Sequence, residues 1–175
     1  MPGPGKPAGL VRARIQPILK TDYPFQPDLN MTETRITEAL DRPDIEACYA
    51  IRIEVFCDEQ GVSLDLEFDG LDAECRHYIA RIGNDAVGTA RLRPLDGGKL
   101  KFERVAVRAS HRNRKIGRSL MERALTDAAR SGGKTGILHA QSEAAAFYLK
   151  LGFIQEGGTF DEAGIPHVRM TKELA

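Results

Sequence analysis

The alternation of apolar and polar residues is clearest in the middle of the chain, where it predicts a strand, a loop and a helix. Residues Lys99–Val107 place β-branched and aromatic side chains in rough alternation, which is typical of a strand. After a basic run, apolar residues recur from Leu120 to Ala128 at positions i, i+1, i+4, i+5 and i+8, the spacing of one buried helical face. We therefore predict a helix over Ile116–Arg130 that ends at the glycines following Ser131.

Similar patterns predict the other elements. Asp41 and Pro43 are typical of a helix start, and apolar residues follow them at helical spacing. Further strands are predicted at 34–40, 76–82, 86–95, 135–140, 153–160 and 166–172, and a short helix at 142–149. Short turns join the three strands before the long helix into an antiparallel meander, and a strand–helix–strand crossover and a terminal hairpin follow. This order predicts a mixed α/β sheet.

Residues 1–30 differ from the rest, because they are rich in proline, poor in hydrophobic periodicity and basic before the first acid, Asp22. We interpret them as a flexible N-terminal extension to a domain over residues 31–175. An upstream extension that the mature protein lacks, since Met31 precedes the first regular element, and a transit peptide are the alternatives.

Composition narrows the class of protein. A chain of 175 residues is long enough for one domain with a hydrophobic core. Its 25 basic and 25 acidic residues give a formal net charge of zero. This balanced charge gives no indication that the protein binds nucleic acid or a membrane surface. Three cysteines without a C-x-x-C spacing favour reduced thiols and a cytoplasmic location. The histidines lack metal-ligand spacing, so no metal is predicted.

The basic run between the central strand and helix is a candidate phosphate site. A strand, a basic loop and a helix N-terminus expose backbone N–H groups and partial positive charge. The loop extends from Arg112 through Lys115 to Gly117 and Arg118. A solvated basic loop is the alternative interpretation.

This loop, R-N-R-K-I-G, resembles the R-x-x-G-x-G/A loop of the GNAT superfamily of acyl-CoA-dependent N-acetyltransferases, with Lys115 in place of the first glycine. The stretch from Phe147 to Phe153 resembles the superfamily's F-Y-x-x-x-G-F signature. The segments V-F-C-D-E-Q, E-R-V-A-V, H-A-Q and G-I-P-H-V-R-M resemble the ElaA-like subgroup. The resemblance covers nearly everything except the N-terminal extension.

The resemblance implies a GNAT fold, a mixed and mostly antiparallel sheet flanked by helices, with acetyl-CoA between the fourth and fifth strands. It implies that the backbone of Val105, Ala106 and Val107 pairs with the pantetheine arm. Gln141 would hydrogen-bond the pantetheine or the substrate. A hydrogen bond from Gln141 to another part of the protein is the alternative interpretation. The implied pyrophosphate contacts are Arg112, Asn113, Arg114, Lys115, Ile116, Gly117 and Arg118.

Acyl transfer to an amine needs a base, an oxyanion donor and an acid for the leaving thiolate. The resemblance implies Tyr148 as the acid, the Val105 N–H as the oxyanion donor and Glu103 as the base. A salt bridge to Arg104 or to a cross-strand base is the alternative interpretation of Glu103. His139 and His77 are the alternative bases, because histidine suits proton transfer at neutral pH. His167 is interpreted as structural. Cys57 is a further candidate nucleophile, although direct transfer in a ternary complex needs none.

The predicted function is N-acetyl transfer from acetyl-CoA to a primary amine of a small molecule or peptide. Seven acidic residues between Asp58 and Glu74, with no base until Arg76, favour a cationic acceptor. A non-catalytic acyl-CoA-binding module and an acyltransferase with a longer acyl donor, similar to autoinducer synthases, are the alternatives. The resemblance also allows a homodimer.

Overall fold

The computed structural model describes residues 33–174, which form one seven-stranded sheet with helices on both faces. The strands are β1 (Thr34–Glu38), β2 (Arg76–Ile82), β3 (Asp85–Pro94), β4 (Lys99–Val107), β5 (Thr135–Gln141), β6 (Ile154–Glu162) and β7 (Ile165–Glu173). The helices are α1 (Arg42–Arg52), which continues as a π-helical segment over Ile53–Asp58, α2 (Leu64–Glu67), α3 (Ile116–Arg130) and α4 (Ala145–Leu149). The predicted N-terminal extension over residues 1–30 lies outside the described residues.

The strand order is β1-β2-β3-β4-β5-β7-β6, and every neighbouring pair is antiparallel except β4 and β5. This arrangement confirms the predicted mixed, mostly antiparallel sheet flanked by helices. Asp41 caps α1 as predicted, because its side chain accepts a hydrogen bond from the Asp44 N–H at 2.9 Å. None of the described helices is long and apolar enough to cross a membrane.

Both faces of the sheet are covered. Tyr78 and Ala80 on β2 are fully buried in the cluster that contains the apolar stripe of α3, whereas Ile79 between them packs with Cys48 of α1. Successive strand residues point to opposite faces, so α1 and α3 lie on opposite sides of the sheet. The predicted stripe is confirmed, since Leu120, Met121, Ala124 and Ala128 are at most 1% exposed.

Glycine permits the close approach of α3 to the sheet. A Cβ atom at Gly88 would lie 3.1 Å from Leu120 Cδ1 and 3.2 Å from Ile116 Cγ2. These distances are tighter than ordinary van der Waals contact, so any larger residue would push the first turns of α3 away from β3. The N-terminus of α3 is thereby fixed beside the C-terminal end of β4.

The strands β4 and β5 separate shortly after they meet. They pair in parallel over three positions, ending at Lys101 and Ile137, whereas β5 pairs with β7 along its whole length. The strand β4 also carries a bulge, because it has one residue more than β3 between Ala106 and Glu103. Arg104 in this bulge has a φ of 54°. The sheet is therefore open between β4 and β5.

Candidate functional site

The separation of β4 and β5 leaves a cavity of about 270 Å³, which we call the β4–β5 cavity. Glu103 and Val105 of β4, His139 and Gln141 of β5 and Tyr148 of α4 line it. The remaining wall includes Phe56, Val62, Leu66, Glu67, Glu162 and His167. The topology thus brings together the predicted acid Tyr148, the predicted base Glu103 and His139, one of the two alternative bases.

A second cavity of about 490 Å³ lies at the N-terminus of α3, and we call it the α3 cavity. It is lined by six of the seven predicted pyrophosphate contacts (Arg112, Asn113, Lys115, Ile116, Gly117 and Arg118) and by Val107, His111, Phe147, Lys150 and Leu151. Arg114 is exposed and Ala106 is buried, and neither lines this cavity. Most residues of the predicted phosphate loop therefore face one space.

The backbone of the loop is left-handed at two positions before α3 begins. Asn113 and Lys115 both have a φ of 63°, in the left-handed region. The Lys115 carbonyl accepts from the Ser119 N–H at 3.0 Å, which leaves the amides of Ile116, Gly117 and Arg118 without a partner inside the helix. No side chain within residues 33–174 caps this helix end. The arrangement is suited to an anion.

The packing of the protein does not require glycine at position 117. A Cβ atom there would meet Val107 Cγ2 at 3.7 Å and Phe147 Cζ at 3.8 Å, which are ordinary contacts. Within the loop, the Arg112 side chain already has partners in the protein. It donates to the Val107 carbonyl at 3.0 Å and pairs with Glu59. The Arg112–Glu59 pair ties the phosphate loop to the segment that follows α1.

Tyr148 packs in an aromatic cluster at the edge of the β4–β5 cavity. Its ring lies 4.8 Å from that of Phe147 and 6.2 Å from that of Phe153, both in edge-to-face geometry. Burial raises the pKa of Tyr148 to about 12. The phenol consequently keeps its proton throughout the physiological pH range.

Glu103 is held by three cations. Its carboxylate contacts Arg91 at 2.7 Å, Arg93 at 3.0 Å and Lys101 at 2.9 Å, and its side chain is 7% exposed. Burial alone would raise the pKa of Glu103, but the hydrogen bonds from Arg93 and Lys101 and the charge of Arg91 lower it to about 2. Such a carboxylate is a poor proton acceptor at neutral pH, so the structure argues against the predicted role of Glu103 as base.

The two alternative histidines differ in their surroundings. His139 lines the β4–β5 cavity, and its Nδ1 lies 2.7 Å from Glu162 Oε2. His77 is 3% exposed, bonds the Asp72 carbonyl through Nε2 at 3.0 Å and lines neither cavity. Burial lowers the pKa of His77. Of the two, only His139 is placed to meet a substrate in the β4–β5 cavity.

The remaining candidates are His167, Gln141 and Cys57. His167 lines the β4–β5 cavity, but its Nδ1 is engaged with the Ile165 carbonyl at 2.8 Å. The Gln141 amide donates to Gln60 Oε1 at 2.8 Å, which joins the end of β5 to the segment after α1. Burial and the nearby Glu67 raise the pKa of the Cys57 thiol, which is the opposite of an activated nucleophile. Within residues 33–174 no cluster of three or more potential ligands could hold a metal ion.

The acidic segment is not the unopposed negative surface that its sequence indicates. Glu67 contacts Arg52 and Arg104, Asp69 contacts Arg91 at 2.6 Å, and Asp72 contacts Arg52 at 2.6 Å and Arg91 at 3.0 Å. The cations come from α1, β3 and β4, which are distant in the sequence. The expectation that unpaired acids of this segment attract a cationic acceptor is therefore wrong for these three residues.

Comparison with known proteins gives the class. The sequence profile of the acetyltransferase (GNAT) domain matches residues 46–174, and the chain belongs to this family. It is 40% identical to YjcF, an uncharacterized N-acetyltransferase of Bacillus subtilis, over 138 residues that are 77% of this chain and 96% of YjcF. The protein is accordingly an acyl-CoA-dependent acyltransferase.

Solved structures agree with this assignment. Escherichia coli ElaA is 28% identical, with a TM-score of 0.71 over 81% of this chain and 99% of ElaA. An acyl-CoA N-acyltransferase of Pseudomonas aeruginosa is 28% identical, with a TM-score of 0.70 over 80% of this chain and 98% of that protein. The predicted membership of the GNAT superfamily and the similarity to ElaA are confirmed.

Proposed function

We propose that the protein transfers an acetyl group from acetyl-CoA to the primary amine of a small molecule or peptide by direct attack in a ternary complex. One observation carries this proposal. At the α3 end of the opening between β4 and β5 the first amides of α3 have no partner inside the helix, and His139 and Tyr148 line the neighbouring β4–β5 cavity. The cytoplasmic location belongs to the same proposal, supported by the free thiols of Cys48, Cys57 and Cys75.

The donor would bind along β4. The amides that begin α3, with the charge of Lys115 beside them, would hold the pyrophosphate. The backbone from Val105 to Val107 would pair with the pantetheine arm, and Gln141 would bond the pantetheine or the acceptor. The bulge at Arg104 interrupts the ladder between β4 and β3, which supports the Val105 N–H as a donor to the thioester oxygen.

The reaction would need three proton transfers. The neutral amine attacks the carbonyl carbon, a C–N bond forms, and the nitrogen gives its extra proton to His139. The C–S bond then breaks, its electron pair goes to sulfur, and Tyr148 donates a proton to the thiolate. The phenolate recovers a proton from the imidazolium through solvent, so the products are the amide and free CoA.

Calorimetric titration of acetyl-CoA tests the donor site. We expect micromolar binding to the wild type and a loss of at least tenfold in Gly117→Asp, because a carboxylate would face the pyrophosphate across the α3 cavity. Gly158→Asp is the matched control, since a Cβ atom there meets nothing within 4 Å. Equal affinity of Gly117→Asp and wild type would contradict the donor site.

A panel of primary amines tests the activity. The panel contains ethanolamine, phenethylamine, cadaverine and methyl esters of amino acids, with free thiol detected in each reaction. Amine-dependent thiol release together with acetylated amine supports the proposal. Acetyl-CoA binding without turnover of any amine would favour the non-catalytic acyl-CoA-binding module instead.

A further inference from the structure

Glu162 lies at the end of β6, where the hairpin to β7 begins, and its side chain lines the β4–β5 cavity. Its Oε2 is 2.7 Å from His139 Nδ1, although 23 residues separate the two in sequence. The Glu162 side chain is 43% exposed and that of His139 is 29% exposed, so both are accessible from the cavity. The carboxylate therefore contacts the candidate base on the side of the ring away from Nε2.

The same strand holds the imidazole through a second residue. Phe160 lies two positions before Glu162, on the same face of β6. Its ring is 4.9 Å from that of His139 at an interplanar angle of 79°. On its other side Phe160 stacks on His167 at 6.1 Å. Because one strand supplies both the hydrogen bond and the aromatic contact, β6 fixes the position and the rotation of the His139 ring.

The contact also selects a tautomer. An ionised carboxylate only accepts hydrogen bonds, so His139 must carry its proton on Nδ1 to bond Glu162. Nε2 then has a lone pair. Free neutral histidine prefers the opposite tautomer, with the proton on Nε2. In that tautomer Nε2 could not accept a proton.

We propose that Glu162 is a positioning residue that holds His139 as the Nδ1–H tautomer, so that Nε2 accepts the proton of the acceptor amine. This inference rests on the proposed function and adds a residue to it. The amine nitrogen loses a proton, Nε2 gains it, and Nδ1 keeps its own. The resulting imidazolium is positive and faces the negative carboxylate of Glu162.

Another glutamate of β6 shows what an ordinary surface pair looks like. Glu156 contacts Arg169 at 3.1 Å, where both side chains are 47% exposed, and accepts a hydrogen bond from Thr171 Oγ1 at 2.8 Å. None of these residues lines the β4–β5 cavity. Exposed pairs of this kind stabilise a protein by about 0–1 kcal/mol. Glu156→Ala is consequently a matched control for the removal of a β6 carboxylate.

The first experiment compares the tautomers by ¹⁵N NMR of the histidine rings at pH 8, in the wild type, Glu162→Ala and Glu156→Ala. We expect His139 to be the Nδ1–H tautomer in the wild type and in Glu156→Ala, and to change to the Nε2–H tautomer in Glu162→Ala. A His139→Gln variant assigns the signal. The Nε2–H tautomer in the wild type, or the same tautomer in all three proteins, would overturn the proposal.

The second experiment compares the kinetics of the same proteins with acetyl-CoA and the most active amine of the panel. We expect kcat of Glu162→Ala to fall about 10- to 100-fold, the size of effect seen for residues that orient a functional histidine. The KM for acetyl-CoA should change less than twofold, and Glu162→Asp should recover part of kcat. An unchanged kcat in Glu162→Ala would overturn the positioning role.

The two experiments separate the two proposals. A panel without any active amine would overturn the proposed function, whereas the tautomer comparison would still decide the contact between Glu162 and His139. Conversely, full activity of Glu162→Ala beside an inactive His139→Gln would leave the function standing and overturn the role of Glu162.

Discussion

Lys115 occupies a backbone conformation that a glycine adopts without steric cost, at the position where the superfamily loop has its first glycine. Its φ of 63° and ψ of 8° place it in the left-handed region, directly before α3. For a residue with a side chain this conformation costs about 1–2 kcal/mol. The loop therefore keeps the shape that glycine would give it and gains a cation that lines the α3 cavity.

Tyr148 is the residue whose chemistry is most open to test. We expect Tyr148→Phe to keep its affinity for acetyl-CoA and to lose about 10²- to 10⁴-fold in kcat, because only the proton donor is removed. Since the pKa of Tyr148 is raised to about 12, the wild type should not lose this proton below about pH 10.

Steady-state rates of the wild type and Tyr148→Phe between pH 7 and 10 measure the loss in kcat and its dependence on pH. Tyr49→Phe is the control, because Tyr49 lies outside both cavities. A Tyr148→Phe enzyme with the rate of the wild type would remove Tyr148 from the mechanism.

At the scale of elements, hydrophobic periodicity predicts the strands and helices but not the contacts between them. The bounds of β2, β4 and α3 coincide with the prediction, because their apolar patterns are set by their own side chains. The partners of Glu103 follow from pairing between strands, with Arg91 opposite Glu103 and Arg93 two residues further. Of the three cations that contact Glu103 only Lys101 is near it in the sequence, and a single nearby lysine does not distinguish a base from the centre of an ion cluster.

The ion cluster makes the stability of the sheet dependent on pH. The folded protein holds the pKa of Glu103 at about 2, below its ordinary value of 4.5, so the stabilisation is complete above pH 4.5 and is lost as the pH falls toward 2. Hydrogen bonds from Arg91 lower the pKa of Asp69, which acts in the same direction.

We expect Glu103→Gln to lower the free energy of unfolding by about 3 kcal/mol at pH 7, because the amide cannot replace the charge interactions that hold the pKa of Glu103 at about 2. The difference from the wild type should shrink between pH 4.5 and 2. Urea unfolding at several pH values measures it, with Glu46→Gln, an exposed partner of Arg42, as the control. A difference that does not depend on pH would contradict this account of the cluster.

At the scale of the whole molecule, the site depends on contacts between distant parts of the chain. The sequence predicts the phosphate loop, because the strand, basic run and helix are contiguous. It does not predict the pair of His139 and Glu162, which forms only when β5 and the β6–β7 hairpin meet through β7. In the sequence Glu162 has the appearance of an ordinary turn residue beside Ala163 and Gly164.

We propose that this fold acetylates an amine with His139 as the base. The most direct test is mass spectrometry of the acceptor amine and detection of free thiol, for the wild type and His139→Gln at equal acetyl-CoA saturation. We expect equal amounts of acetylated amine and thiol in the wild type, and a rate about 10²- to 10⁴-fold lower in His139→Gln. An unimpaired His139→Gln enzyme, or thiol release without acetylated amine, would contradict this proposal.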